Sequence, residues 1–547
     1  MHPWWPVLAP SARSRPVSRR GHASHDVRRQ PVLSNQARAG VGTRRTATTR
    51  SPNHDRRARR ADRPHLGRRR HTGDVPHGRR ARRECRLRRH EREDSPADLQ
   101  ARRDSNVTSL VARLRRAWPR APRRRYCVFA GSNVAKECWL ALRALVQRHD
   151  DAEAITEFER QSAEAADCRH AFSVGAGRMG LYAILGCLGI RPGAEIIIPA
   201  FTCVVVANAI IYRGFRPVYA DIDPVTFNLD IDHAETLVGS ATAAVYLQHT
   251  FGVTADVEKT RAFAERHGLV VIEDLAHSLG ASHDGHKHGA LGDVAFMSVD
   301  RTKVISTQLG GVITTNDDTL AEALAEELAD TPHVSPWFAR RIMVSFIADY
   351  VFNGPYGRWL SHPALAALSR LGLHVMWRDE LSMTRPSNPP FPCRLTAGQA
   401  RIGSSQLSRL ETNLEHRRHV ARWLEDRIGW YGERLAGRFD EQAWLRYSFL
   451  VEDRDELVRR ASRHIDLDVW FTSPLSMRNH DLEAVGYVEG SCPVAERTVR
   501  HIANLPTHPR IPLAAIKRFW QEHGDWISDH AIRPAARSGS TGEPGPK

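Results

Sequence analysis

The chain has 547 residues, with 79 Lys and Arg against 62 Asp and Glu and a formal net charge of +17. That length holds more than one domain with a sizeable core. Eight scattered cysteines without a CxxC pair argue against a disulfide scaffold or a clustered zinc site and fit a reducing cytoplasm, while no stretch reaches the ~18 apolar residues of a membrane helix.

The charge is uneven. Residues 1–125 hold 35 Arg, no Lys and 10 acids, and the remainder holds 44 basic and 52 acidic residues, so an ordinary acidic domain follows a basic leader. Residues 1–105 are Arg-, His- and Pro-rich with almost no apolar periodicity, and are expected to be disordered. The N-terminus MHPWWPVLAP lacks the apolar core of a signal peptide. Arginine without lysine suggests translated GC-rich DNA ahead of the true start, with Val107 in SNVTSLVARL as the candidate start. A nucleic-acid arm is the competing reading, and nucleic acid is not expected as a partner.

From about residue 137, CWLALRALVQRH and AEAITEFERQSAEAA have the apolar stripe of helices. Residues 172–190, FSVGAGRMGLYAILGCLGI, read as a short strand, a glycine turn and a helix. GAGRMG formally matches the dinucleotide pattern GxGxxG, but no acid ends a strand about 20 residues on. A nicotinamide dehydrogenase is therefore a weak alternative. EIIIP at 195–199 is the next strand and 200–210 the next helix. Strands at 216–223 and 243–250 follow, then a helix at 257–267, and the βα alternation implies a mostly parallel sheet. His249, at a strand end, is read as structural.

The most informative stretch is 270–315, VVIEDLAHSLGASHDGHKHGALGDVAFMSVDRTKVISTQLGGVITT. Asp274 ends one buried strand and Ser298 the next, Lys303 comes five residues later, and Gly310 and Gly311 open a third. In α/β sheets ligands bind at the C-terminal ends of the strands. A pyridoxal phosphate enzyme needs a lysine whose amine captures the cofactor aldehyde, and a carboxylate that keeps the pyridine nitrogen protonated. Lys303 and Asp274 can fill those roles, and Ser298 can meet the cofactor phosphate.

The blocks IEDLAH, GALGD, SVDRTK and GGVITT, in this order and spacing, make the chain resemble the DegT/DnrJ/EryC1/StrS family of sugar aminotransferases over roughly residues 157–527. ADID at 220–223, FNLD at 227–230, FGVTAD at 251–256, CPVAER at 492–497 and LPTHP at 505–509 extend the match. The resemblance implies a fold-type I enzyme that binds pyridoxal 5'-phosphate, with catalytic Lys303 and Asp274. His277 is expected near the cofactor or substrate. Gly177 and Arg178 take the family's Gly-Thr phosphate positions, and Cys203 the place of an aromatic that stacks on the pyridine ring, with Phe201 out of register. Pro392 stands where relatives place an Asn that reaches the neighbouring subunit's phosphate. The implied reaction is transamination from an amino acid, usually glutamate, to a nucleotide-linked keto-sugar or keto-cyclitol, in a cytoplasmic homodimer. Lys303 argues against the dehydratase-like members that lack the lysine. A non-catalytic regulator on the same fold is the alternative.

The expected domains are a large one at 106–390, including N-terminal helices and an atypical helical insertion at about 332–392, and a small one at 391–532 with strands at 445–451 and 467–471. A disordered tail is expected at 533–547.

Overall fold

Seven short runs form the strands of one sheet: β1 His170–Val174, β2 Glu195–Pro199, β3 Arg216–Ala220, β4 Thr242–Gln248, β5 Val270–Asp274, β6 Val294–Ser298 and β7 Gly311–Thr315. The computed structural model describes residues 124–532 except 130, 148–150, 376–384, 388 and 468. The leader at 1–105, Val107 and the tail at 533–547 lie outside the described residues. Strand order is β1-β7-β6-β5-β4-β2-β3. Only β7 runs antiparallel to its neighbours, so six strands point the same way. Five of the strands are largely buried. That is why they read as continuous apolar runs rather than as alternating patterns.

The helices start where the local chemistry allows. Ahead of the sheet come α1 Ala135–Ala144 and α2 Ala152–Ala165, the latter capped by the Asp151 carboxylate on the Ala154 amide. Two connections run through α3 Gly177–Cys187 and α4 Val204–Tyr212. The connection before β5 is α5 Val257–His267, capped by Asp256 and stopped by Gly268 at φ +63°. After β7 come α6 Asp318–Ala329, α7 Pro336–Phe352 and α8 Arg358–Arg370. The C-terminal third comprises α9 Ala397–Leu407, α10 Leu410–Ile428, β8 Arg446–Leu450, α11 Arg454–Ala461, α12 Pro493–His501, β9 Ile502–Pro506 and α13 Leu513–His530. β8 pairs antiparallel with β9.

Two expectations are corrected. The fourth helix begins at Val204 rather than 200, because Thr202 and Cys203 pair in parallel with Leu475 and Ser476. No strand forms at 467–471 among the described residues. The neighbouring Ile465 and Asp466 pair instead with Tyr126 and Cys127, which ties the N-terminal segment to the C-terminal third. Within 332–392 the described residues form the helices α7 and α8. α7 is anchored by its buried Asp349, which accepts from Gln308 Nε2 at 2.8 Å and Asn353 Nδ2 at 3.0 Å and faces His374 Nε2 at 3.4 Å. Burial alone would raise this carboxyl's pKa; His374 and the Arg301 charge outweigh it and hold it below the ordinary value. No helix among the described residues is long and apolar enough to cross a membrane.

Candidate active site

Asp274 ends β5 and Ser298 ends β6, with Phe296 paired to Asp274 and Ser298 to Gly311. Strand register therefore places both polar side chains at one edge of the sheet. Lys303 lies in the loop that leaves β6. That loop is pinned from three directions: Ser132 Oγ donates to the Val304 carbonyl at 2.6 Å, Asn413 Nδ2 to the same oxygen at 2.8 Å, and the Ser306 amide to Gln406 Oε1 at 2.9 Å. A flexible lysine is thus carried on a fixed backbone.

Asp274 is 6% exposed. Its Oδ2 accepts from the Tyr246 hydroxyl and its Oδ1 from the Ala276 amide, both at 2.7 Å. Burial raises its pKa, against the pull of these hydrogen bonds and of the Lys303 charge. Lys303 keeps part of its side chain exposed, yet burial is the main cause that lowers its ammonium pKa, opposed by Asp300, Asp274 and Cys203. Its Nζ stands 4.7 Å from the centroid of the Trp470 ring.

His277 Nδ1 accepts the Phe251 amide at 3.1 Å, so a neutral ring carries its hydrogen on Nε2. Burial first, then the charges of Lys303 and Arg446, push its pKa well down and keep it neutral. The ring lies parallel to Phe251, at 4°, and 5.2 Å from Trp470.

At the other side, α3 starts at Gly177 against Ser298. A Cβ on Gly177 would stand 2.9 Å from the Ser298 Cβ, so only glycine allows this approach. The N-cap of α3 is Ala176, which offers no side-chain cap. The positive end of a helix is thus presented beside a hydroxyl, a donor set suited to a phosphate. Arg178 acts electrostatically on the Cys393 thiol, whose pKa burial pushes up to about 12. Cys203 pairs with Ser476 just ahead of α4 and is near enough to act electrostatically on both Lys303 and Tyr246.

The other residues singled out from sequence lie elsewhere. Phe201 is fully buried among Phe227, Phe251 and Phe471, with Phe471 nearest at 4.8 Å. His249 is structural: its Nδ1 accepts from the Ala255 amide and its Nε2 meets Glu273, both at 3.1 Å. Beside Pro392, Cys393 accepts the Gly175 amide at 2.7 Å and Arg394 caps carbonyls at the end of α6.

Sequence reading missed the opposite wall. Arg446 is 2% exposed, and its guanidinium sits 4.7 Å from the same Trp470 ring. With Arg417, His508, Val128 and Gly131 it lines a cleft against Lys303. The available signal was one arginine in the otherwise uncharged run WLRYSFLV.

The model of the DegT/DnrJ/EryC1/StrS aminotransferase family matches residues 141–522. GDP-perosamine synthase of Caulobacter vibrioides is 33% identical over 283 residues, 51% of this chain, which spans 63% of that protein's length. The pleiotropic regulatory protein of Geobacillus stearothermophilus is 31% identical over 366 residues, 65% of this chain and 85% of that one. The crystal structure of ntda from Bacillus subtilis with bound cofactor pmp matches with a TM-score of 0.55 at 19% identity, over 73% of this chain and 83% of that one. The last likeness is one of fold, and it agrees with the expected fold-type I architecture.

Proposed function

Because the chain belongs to the DegT/DnrJ/EryC1/StrS aminotransferase family, we propose that it is a pyridoxal phosphate-dependent aminotransferase. It takes an amino group from an amino acid, glutamate first among candidates, and gives it to a ketone on a nucleotide-linked sugar or a cyclitol. The observation that carries this reading is the buried Asp274 held by Tyr246 and Ala276 beside the Lys303 amine.

The residues present fit the cofactor. The α3 N-terminus at Gly177 and Arg178 and the Ser298 hydroxyl would hold its phosphate. Asp274 would meet the ring nitrogen. Tyr246 and Ala276 each donate to one of its oxygens, and each oxygen keeps a lone pair for a further donor. When bound, pyridoxal phosphate supplies an aldehyde that captures amines and a ring that withdraws electrons from the substrate Cα.

The chain's own groups do the rest. Lys303 takes the proton from the donor Cα and returns one to the acceptor carbon, a role favoured by an ammonium pKa lowered through burial. Asp274 stays ionised opposite a cationic ring nitrogen, which offsets its cost of burial. Neutral His277 offers Nε2–H to an oxygen of cofactor or substrate. Cys203 provides a small wall where relatives stack an aromatic. The active chain is further read as a cytoplasmic homodimer with a large domain at 106–390 and a small one at 391–532.

The test is the visible spectrum of purified protein given pyridoxal phosphate. Wild type is expected to turn yellow and bleach on adding glutamate, and Lys303→Ala to do neither. A wild type that stays colourless would sink the reading and favour the regulatory role named in the Geobacillus relative.

A further inference from the structure

The helices α1, α7 and α8 carry most of the exposed apolar surface of the fold. Ten large hydrophobic side chains are exposed among the described residues, and eight of them lie on these helices or within two residues of their ends. Trp139, Leu142 and Val146 follow one another at helical spacing along α1 and the turn that ends it. On α7, Trp337, Val344 and Val351 stand seven residues apart, and Trp337 and Val351 are 56% and 49% exposed. The other side of both helices is already occupied. Ala141 and Ala144 of α1 are buried with Ile342, Met343 and Phe346 of α7 in one cluster that includes Ile402. α7 is therefore apolar on both sides, and the stripes of α1 and α7 turn away from the cluster that joins them. Arg340 Nε donates to the Leu145 carbonyl at 3.2 Å and ties the end of α1 to the start of α7. Between α7 and α8 the surface opens into a groove lined only by Val344, Ile347, Ala348, Val351, Phe352 and Leu368. A contiguous apolar face of this kind marks a surface that meets a partner.

Charge decides which partner fits. Lys136, Arg143, Arg340 and Arg370 are exposed along the same helices. The only acids in the three helices, Glu137 and Asp349, are fully buried. A second copy packed on this face about a two-fold axis would set these cations against their own images. An anionic bilayer surface would attract them. Tryptophans beside aliphatic and basic side chains are also the residues that settle at the headgroup boundary. No helix among the described residues is long and apolar enough to cross a membrane, so the contact is that of helices lying in the plane of the surface.

We propose that the outer face of α1, α7 and α8 docks the protein on an anionic lipid bilayer. Trp139 and Trp337 enter the headgroup layer, and Lys136 and Arg143 meet lipid phosphates. This function is separate from the aminotransferase reading and does not depend on it.

Full-chain protein is sedimented with vesicles of pure phosphatidylcholine and with vesicles of phosphatidylcholine mixed with phosphatidylglycerol. Wild type is compared with two double variants, Trp139→Ser with Trp337→Ser and Lys136→Glu with Arg143→Glu. All three chains carry the Arg-rich leader, so its own attraction to anionic lipid is common to them. The four substituted residues are exposed, so the melting temperature is expected to hold. Should one pair misfold, the other decides. Wild type is expected to sediment with the mixed vesicles and far less with phosphatidylcholine alone. Each double variant should partition about 10–100-fold more weakly onto the mixed vesicles. Wild type that stays in solution with both vesicles overturns the proposal. So do folded variants that sediment as wild type does, because the leader then carries the binding. Light scattering without lipid tests the other occupant. A wild-type oligomer that dissociates in the Trp139→Ser, Trp337→Ser variant would mean that a second copy covers this face, and would overturn the proposal as well.

Discussion

The floor of the site and the wall facing it solve the problem of buried charge in opposite ways. On the floor, Asp274 and Lys303 offset each other, and hydrogen bonds from Tyr246 and Ala276 orient the carboxylate. On the wall, Arg417 and Arg446 repel each other; Arg417 donates to neutral oxygens and Arg446 lies over the Trp470 ring. A balanced floor suits groups that pass protons among themselves. A wall of neighbouring cations raises the positive potential of the cleft.

Breaking the floor should cost most. Lys303→Ala is expected to lower turnover by about 10⁴-fold, measured as the glutamate half-reaction under single-turnover conditions. Asp274→Ala should lower kcat by about 10²–10³-fold with a smaller change in donor half-saturation. The same residue separates function from stability. A carboxyl whose folded pKa is raised binds its proton more tightly folded than unfolded, so it costs stability as pH rises from the unfolded value through the folded one. Unloaded Asp274→Asn should therefore melt no lower than wild type at pH 7, and the difference should close below about pH 4.

Changes to the wall should be milder and should appear in binding. Trp470→Ala removes the ring under both Lys303 and Arg446, and is expected to raise the half-saturating glutamate concentration about tenfold. The pH profile of kcat, set by the floor, should keep its shape. Ser298→Ala should have the smallest effect, loosening the cofactor by roughly 2–10-fold in an equilibrium titration while saturated kcat is retained.

The floor was legible because its residues are local. Asp274, His277, Ser298, Lys303 and Gly311 fall within 38 consecutive residues of strand and loop, and polar groups at the ends of apolar runs stand out. The sheet was legible for the same reason: a parallel strand buried on both faces is an apolar run. The wall was not, because it is gathered from distant segments around 128–131, 417, 446, 470 and 508. No spacing rule links these positions, and a buried arginine looks like any other arginine until tertiary packing removes its water. The misplaced start of α4 has a related cause, since Thr202 and Cys203 are drawn into pairing by Leu475 and Ser476, far along the chain. The helical character of 336–370 was readable from its apolar stripes, but its anchorage through Asp349 was not.

The short segment from Arg125 to Asn133 precedes residue 141, where the family match begins. It nevertheless shuts the back of the cleft. Arg125 pairs with Asp466, Tyr126 and Cys127 extend alongside Ile465 and Asp466, Gly131 fits against the His508 ring where a Cβ would come within 2.3 Å, and Ser132 bonds both Arg417 and the loop of Lys303. The stretch that the family model matches and the stretch that closes the cleft therefore have different edges. A truncation at 141 would keep the residues that the family model matches and still leave the arginine wall open to solvent, trading a closed pocket for a wet surface. A truncation at Val107 would keep the seal.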